Sequence, residues 1–492
     1  MTLSILIVVP VVAGVLQALM PRPLARWFSA SSAVGVLGYS IALLASYPAS
    51  GGGLKWVTDK VWIGELGIHY SLCVDGLILF LILLTTILWA LATIAAALRE
   101  WDSPRLFFFN LALAETAVLG AFCAQDVALF VFFFDLMLVP FYFLIGAWGG
   151  PGRVRATTKF VIYTLVGSLL MLAATVALGV LSARGGQPLS FDLADLAHRH
   201  LSLGNQEWIF LLFAAAFLVK MPAFPLHGWM PDAYRATPLP VLVLLSGVLS
   251  KVGAYGFLRI VLPTMPGGSQ HFQELMIAIA VVSILYGSVL AFSQDEARLV
   301  VGYSSVAQLG FITLGIFSLD PKGAQGAVLQ MLNHGIVVGA LFLIIAALAL
   351  RARGSERLSA MGGIATRAPV LAALFLIVAL ATLAMPGSSN FVGELYILFG
   401  IFSSKLAWGI VATGGVVLAA VYMIRMYQRA MHNRVGPAVE SFELRPRELG
   451  VIAPLVVLIV ALGVYPNFVL TRSQAATTSK LPGSSTARIA HR

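Results

Sequence analysis

The sequence predicts an all-α polytopic membrane protein with about 14 transmembrane helices, and three observations carry that expectation. Of 492 residues, 59% are hydrophobic and only 11% charged, where a soluble domain carries roughly 25% charged residues. Mean hydropathy is +0.93. The apolar residues gather in uninterrupted runs of about 20, the length with which a helix rising 1.5 Å per residue crosses roughly 30 Å of hydrocarbon. A water-soluble enzyme is excluded.

Taken in order, the first three runs, 2–20, 27–46 and 74–98, form an N-terminal unit over 1–105. The first lacks a basic n-region and an A-x-A site, so it reads as a retained helix rather than a signal peptide. Spans at 106–124, 127–147, 157–182, 207–231 and 238–262 make a second unit, 106–262. Spans at 272–292, 298–318, 324–349, 369–402 and 405–428 make a third, 272–430, followed by a helix at 450–470 and a polar tail, 471–492, rich in Ser and Thr. Pro222 and Pro225 interrupt the seventh run; Pro386, Gly387, Ser388 and Ser389 interrupt the twelfth. Each proline removes a backbone donor and clashes with the preceding turn. Irregular backbone at membrane depth is tolerated only where protein or water satisfies the freed groups, and paired interruptions mark transporter sites and internal repeats. The two broken helices, 7 and 12, lie five spans apart. Helices 4–8 and 9–13 are therefore expected to be two copies, and an odd number of spans per copy makes the repeats inverted.

The net charge of +10 does not signal nucleic acid, because the cations form no contiguous patch with interleaved aromatics. They set topology instead. Loops after odd-numbered spans hold 18 of the 31 Lys and Arg, and the opposite face with the tail holds 11. By the positive-inside rule, both termini face away from the cytoplasm, in a plasma membrane. The two cations left over, Lys220 and Lys251, lie in mid-span.

A lysine at a helix centre costs about 2.5 to 3.5 kcal/mol and persists where it faces the bundle interior, finds a partner or lines a wet path. Glu115, Asp135 and Glu394 are the mid-span acids; His227, at a helix break, and His334 add groups that titrate near neutral pH. A single buried pair of this kind has a rival reading as a structural ion pair that fixes helix register. Glu115 or His334 alone could simply bond a neighbouring backbone group or hydroxyl. Seven in one chain point to a line of protonatable groups. Cys73 and Cys123 are too few for an iron-sulfur or zinc site, and no G-x-G-x-x-G or Walker A motif is present. Redox chemistry, if the protein serves any, is expected in other chains.

FFFDLMLVP (132–140), VKMPAFPLHGWMPDAY (219–234), LLSGVLSKVGAYGFLR (244–259), QMLNHGIVVGALF (330–342) and MPGSSNFVGE (385–394) resemble the antiporter-like membrane-arm subunits of proton-pumping NADH:quinone oxidoreductase, respiratory complex I. The resemblance runs from about residue 60 to 470. Glu394, where sister L- and N-type chains usually carry lysine, resembles the M-type branch (mitochondrial chain 4 type). The resemblance implies that Lys220 is the central lysine, Lys251 its link toward the cytoplasmic side, Glu394 the terminal acid, and His227 and His334 relays along the axis. Asp135 stands where the family usually has glutamate, one methylene shorter in its reach to Lys220. Glu115 has no clear counterpart. The resemblance further implies L- and N-type neighbours, no cofactor in this chain, and NAD, FMN, iron-sulfur clusters and quinone in other subunits. The rival readings are a monovalent cation/proton antiporter subunit, the membrane subunit of an energy-converting hydrogenase, and a purely structural scaffold.

Overall fold

The computed structural model describes residues 2–183, 187–436, 439–440 and 442–483. Helices α1 (Ser4–Leu19) and α2 (Arg22–Ser46) meet at Pro21, whose φ of −55° suits the entry to a helix. Next comes an element that the all-helical expectation lacks. Strand β1 (Lys55–Ile63) pairs antiparallel with β2 (Ile68–Val74), with Asp59 opposite Ser71. Trp56, Val57, Thr58, Val61, Trp62 and Ile63 are aromatic or β-branched and suit a pleated surface. Gly67 closes the turn at φ +61°, and a Cβ there would lie 2.2 Å from the Leu189 carbonyl oxygen, so the position demands glycine.

Aspartate caps start the next crossings. Asp75 accepts from the Leu77 and Ile78 amides at the head of α3 (Gly76–Ala97), and, after α4 (Pro104–Cys123), Asp126 does the same for α5 (Val127–Leu136). Met137 links α5 to α6 (Leu138–Gly146), and together they make one apolar crossing. Then come α7 (Arg153–Ser182), the short α8 (Leu193–His198) and α9 (Leu203–Lys220). The seventh span, expected as 207–231, stops helical winding at Lys220. Residues 221–225 are irregular, a 3-10 turn covers Leu226–Trp229, and α10 (Met230–Ala236) follows. The eighth crossing is assembled from α11 (Leu239–Leu244), α12 (Ser250–Gly256) and α13 (Leu262–Thr264), with π-helical turns at Leu245–Leu249 and Phe257–Val261 between them.

After α14 (Pro266–His271) run α15 (Gln273–Ser293), α16 (Ala297–Phe317) and α17 (Pro321–Arg351). The twelfth span is two helices, α18 (Pro369–Thr382) and α19 (Ser389–Ser404), separated by Ala384 and Gly387 at positive φ. The chain ends with α20 (Leu406–Met431), α21 (Pro446–Val464) and α22 (Asn467–Thr478). The last two stand where one helix is expected at 450–470, and α22 runs on into the segment expected as a polar tail. Winding breaks at Tyr465 and Pro466, and α22 lies against α3 and α17 with Val469, Ser473, Ala476 and Thr477 buried. Its Ser473 and Thr477 hydroxyls donate to carbonyls one turn back, at 2.9 and 2.8 Å, which lets a polar sequence bury a helical face. Residues 484–492 of the expected tail lie outside the described residues.

Twelve helices among the described residues are long and apolar enough to cross a membrane; Ser4–Leu19 and Pro369–Thr382 are shorter apolar helices. Connections interlock in two sets. In one, the Gln125 amide donates to the Ser71 carbonyl (2.9 Å), the Val127 amide to Phe191 (2.8 Å), and Arg259 pairs with Asp75 (2.8 Å). In the other, the Gly150 amide donates to Ala236 (2.7 Å), the Leu358 amide to Asp295 (2.7 Å), and Arg235 and Arg429 pair with Glu296 and Asp295, both at 2.9 Å.

Candidate functional site

The first break fixes Lys220. Helix α9 ends there because Pro222 and Pro225 follow, and the freed carbonyls find partners inside the protein. The Trp229 indole N–H donates to the Val219 carbonyl (2.9 Å) and the Ala223 amide to Leu218 (3.1 Å). Lys220 therefore sits at a helix C-terminus, where the backbone dipole favours a cation. It is 4% exposed, with its ammonium 4.4 Å from the centroid of the Phe134 ring. Asp135, the next residue on α5, is the expected counter-charge, yet no ion pair within 4.0 Å joins the two. Its carboxylate faces the Ser168 hydroxyl of α7 and acts on Lys220 at longer range, and its Oδ1 has no partner among the described residues. Past the break, the His227 ring lies 5.1 Å from that of Tyr286, with Nδ1 unpartnered among the described residues, near the Lys159–Asp232 pair (2.9 Å).

The π-helical turn before α12 shapes the next position. Lys251 has no exposed surface, and its ammonium donates to the Ser246 carbonyl (2.8 Å) and the Ser250 hydroxyl (3.2 Å). Facing it on α17 is His334. The two helices cross at glycines: a Cβ on Gly335 would lie 2.8 Å from the Gly247 carbonyl oxygen. That approach places Lys251 within electrostatic reach of His334, whose Nδ1 also has no partner among the described residues.

Glu394 lies just beyond the second break, in the second turn of α19, and is 3% exposed. Its Oε1 accepts from Gln308 of α16 (2.8 Å) and Gln330 of α17 (3.4 Å), and Gln330 also donates to the side-chain oxygen Oε1 of Gln308 (2.7 Å). Tyr422 of α20 faces Glu394 electrostatically while its hydroxyl bonds Ser304 (2.8 Å). Between His334 and Glu394, Asn333 donates to the Ser389 carbonyl (2.5 Å) at the start of α19. Asn333 Oδ1, Gln330 Oε1, Glu394 Oε2, the Ser388 and Ser389 hydroxyls and both polar atoms of the Asn390 amide are buried without a partner among the described residues. Such groups each cost about 1 to 3 kcal/mol if left dry.

Glu115 stands apart from this set. It lines a small cavity, with room for about one water molecule (about 10 Å3), shared with Gln17, Ser29, Ser32 and Thr93 among α1 to α4. The sequence reading missed the amide partners Gln308, Gln330, Asn333 and Asn390, since it looked only for ionisable groups; amides at mid-span in apolar runs were the available signal. Arg259, one of the 11 cations grouped with the opposite face and tail, likewise lies inside the protein. Arg259 is buried two turns beyond Lys251, bonded to Asp75 and to the Gln125 side-chain carbonyl.

The family profile described as "NADH:quinone oxidoreductase/Mrp antiporter, TM" matches residues 124–419. The chain is 37% identical over 483 residues to "NADH-quinone oxidoreductase subunit M" of Rhodobacter capsulatus, covering 95% of this chain and 94% of that one. It is 35% identical over 503 residues to "NAD(P)H-quinone oxidoreductase chain 4" of Gloeobacter violaceus, covering 99% and 94%. A chain of "Respiratory complex I from Thermus thermophilus with bound NADH" superposes with a TM-score of 0.88 at 30% identity, covering 97% of this chain and 100% of that one. A chain of an Mrp complex from Dietzia sp. shares the fold, with a TM-score of 0.86 at 21% identity and coverage of 99% and 98%.

Proposed function

The chain belongs to the NADH:quinone oxidoreductase/Mrp antiporter transmembrane family, and from that premise we propose that it is the M-type proton-translocating membrane-arm subunit of an NADH:quinone oxidoreductase. One observation carries the reading. Lys220 and His227 flank the first helix break with Asp135 acting on Lys220 from α5, Lys251 and His334 face each other, Glu394 follows the second break, and the polar atoms buried around Asn333, Asn390 and Glu394 have no partner among the described residues. A chain of water is the arrangement that satisfies such atoms at membrane depth, and it links groups that exchange protons.

Electrostatics supply the coupling. At an effective dielectric of about 20, unit charges 4 Å apart interact by roughly 4 kcal/mol and charges 8 Å apart by about half of that, still a sizeable effect at the longer range that separates Asp135 from Lys220. A change in the position or protonation of Asp135 thus changes how tightly Lys220 holds its proton. Moving one charge against 100 mV costs about 2.3 kcal/mol, and quinone reduction elsewhere in the complex supplies that work. NAD, FMN, iron-sulfur clusters and quinone belong, in this reading, to other subunits, with L- and N-type chains as membrane neighbours.

Fourteen crossings complete the reading, with α1 and the α18–α19 pair added to the twelve long spans. Two inverted repeats are placed over 106–262 and 272–430, each with one break and one ionisable residue beside it. The two interlocking sets of connections support this alternation: the arginine-rich set is the cytoplasmic one, and both termini face the other side of the plasma membrane. Glu394 in place of lysine favours this assignment over a cation/proton antiporter. In inverted vesicles, Lys220→Ala should abolish most quinone-coupled proton pumping and leave NADH oxidation by an artificial acceptor nearly intact. Normal pumping would remove Lys220 from the path.

A further inference from the structure

A crevice lies where α3 and α17 end and α21 begins. It encloses about 240 Å3, its walls are apolar (Leu98, Leu343, Leu350, Ile452), and Arg99, Arg445 and Arg447 stand at its rim. The one acid lining it, Glu448, is already engaged: both its oxygens accept from the buried Arg351 at 3.1 Å, and one accepts the Arg445 amide at 2.8 Å. None of the three rim arginines has a carboxylate within 4.0 Å among the described residues. Arg445 instead stacks its guanidinium over Phe442, 5.1 Å from the centroid. Leu350, at 52% exposed, opens the apolar wall outward.

We propose that this crevice binds the headgroup and upper acyl region of an anionic phospholipid. Guanidinium groups match a phosphodiester bidentately, three cations at helix ends attract anionic headgroups, and the leucine-rich wall receives the glycerol and first methylenes. Uncharged lipid would leave the arginines without an acceptor. A soluble anion would leave the apolar wall unused. The proposal is independent of the proton path, whose residues it does not include.

The test uses the whole complex in phosphatidylcholine vesicles doped with photoactivatable phosphatidylglycerol or, separately, photoactivatable phosphatidylcholine. Crosslinked peptides carrying residues 95–99 and 446–452 should be labelled preferentially by phosphatidylglycerol. Arg99→Gln combined with Arg447→Gln should raise the half-saturating probe concentration about thirtyfold. Peptides around Ile410, which is 61% exposed on α20, should label alike with both probes and in both proteins, showing that the variant is folded and lipid-embedded. Equal labelling of the crevice by the two lipids, or undiminished labelling in the variant, would overturn the proposal. So would displacement by millimolar inorganic phosphate, which would mark a soluble-anion site, or crosslinks to a neighbouring subunit in place of lipid.

Discussion

Asp135 is the residue on which the electrostatic account has most to lose. Its carboxylate faces Ser168 and its Oδ1 has no partner among the described residues, while the Lys220 ammonium rests on the Phe134 ring beyond direct ion-pair distance. If the carboxylate serves as a charge that tunes Lys220 from a distance, Asp135→Glu should pump at near the normal rate, because it keeps the anion and lengthens its reach. Asp135→Asn should pump poorly, since it removes the charge at nearly constant volume. A packing role predicts the reverse order, because overpacking by an added methylene costs about 1 to 3 kcal/mol. Pumping rates of the two variants, with assembly verified, decide between them. The ionisable members of the path were legible in the sequence because a charge in an apolar run is expensive and therefore conspicuous. Gln308, Gln330 and Asn390 were not, since an amide costs less and stands out less, and only the fold shows that two of them meet one oxygen of Glu394.

At the scale of elements, breaks and close crossings place these groups. Both breaks were legible from their prolines and glycines. The crossing of Gly247 and Gly335 was not, because nothing in either segment tells which distant helix it meets. That crossing sets the approach of Lys251 to His334. A methyl group on Gly335 would lie 2.7 Å from the Leu84 side chain and 2.8 Å from a backbone oxygen that has no room to retreat. Gly335→Ala should therefore spread α17 from the helix carrying Lys251 and lower the protons moved per quinone reduced. Vesicle pumping compared with electron transfer in the same preparation measures this, and an unchanged ratio would show that the separation of the two residues does not matter. The β1–β2 hairpin and the burial of α22 were hidden for another reason. A search for apolar runs of about 20 residues passes over a nine-residue strand with an exposed pattern and over a polar helix that buries a face by turning hydroxyls onto its own carbonyls.

For the whole molecule, the account requires the hairpin to lie on the extracytoplasmic side and the arginine-rich connections on the cytoplasmic side. A cysteine at the exposed Lys60 should react with an impermeant thiol reagent in intact cells, and one at the exposed Arg357 only after the membrane is opened. The native Cys73 and Cys123 are buried and should stay silent. The reverse pattern would invert the topology. Glu394→Gln decides whether protons pass through this chain, because the amide keeps the shape of a group held by Gln308 and Gln330 while removing the carboxyl that can take up and release a proton. In inverted vesicles, the protons translocated per quinone reduced should fall well below the unmodified complex, with NADH oxidation by an artificial acceptor preserved. An unchanged ratio in the assembled variant would contradict the account.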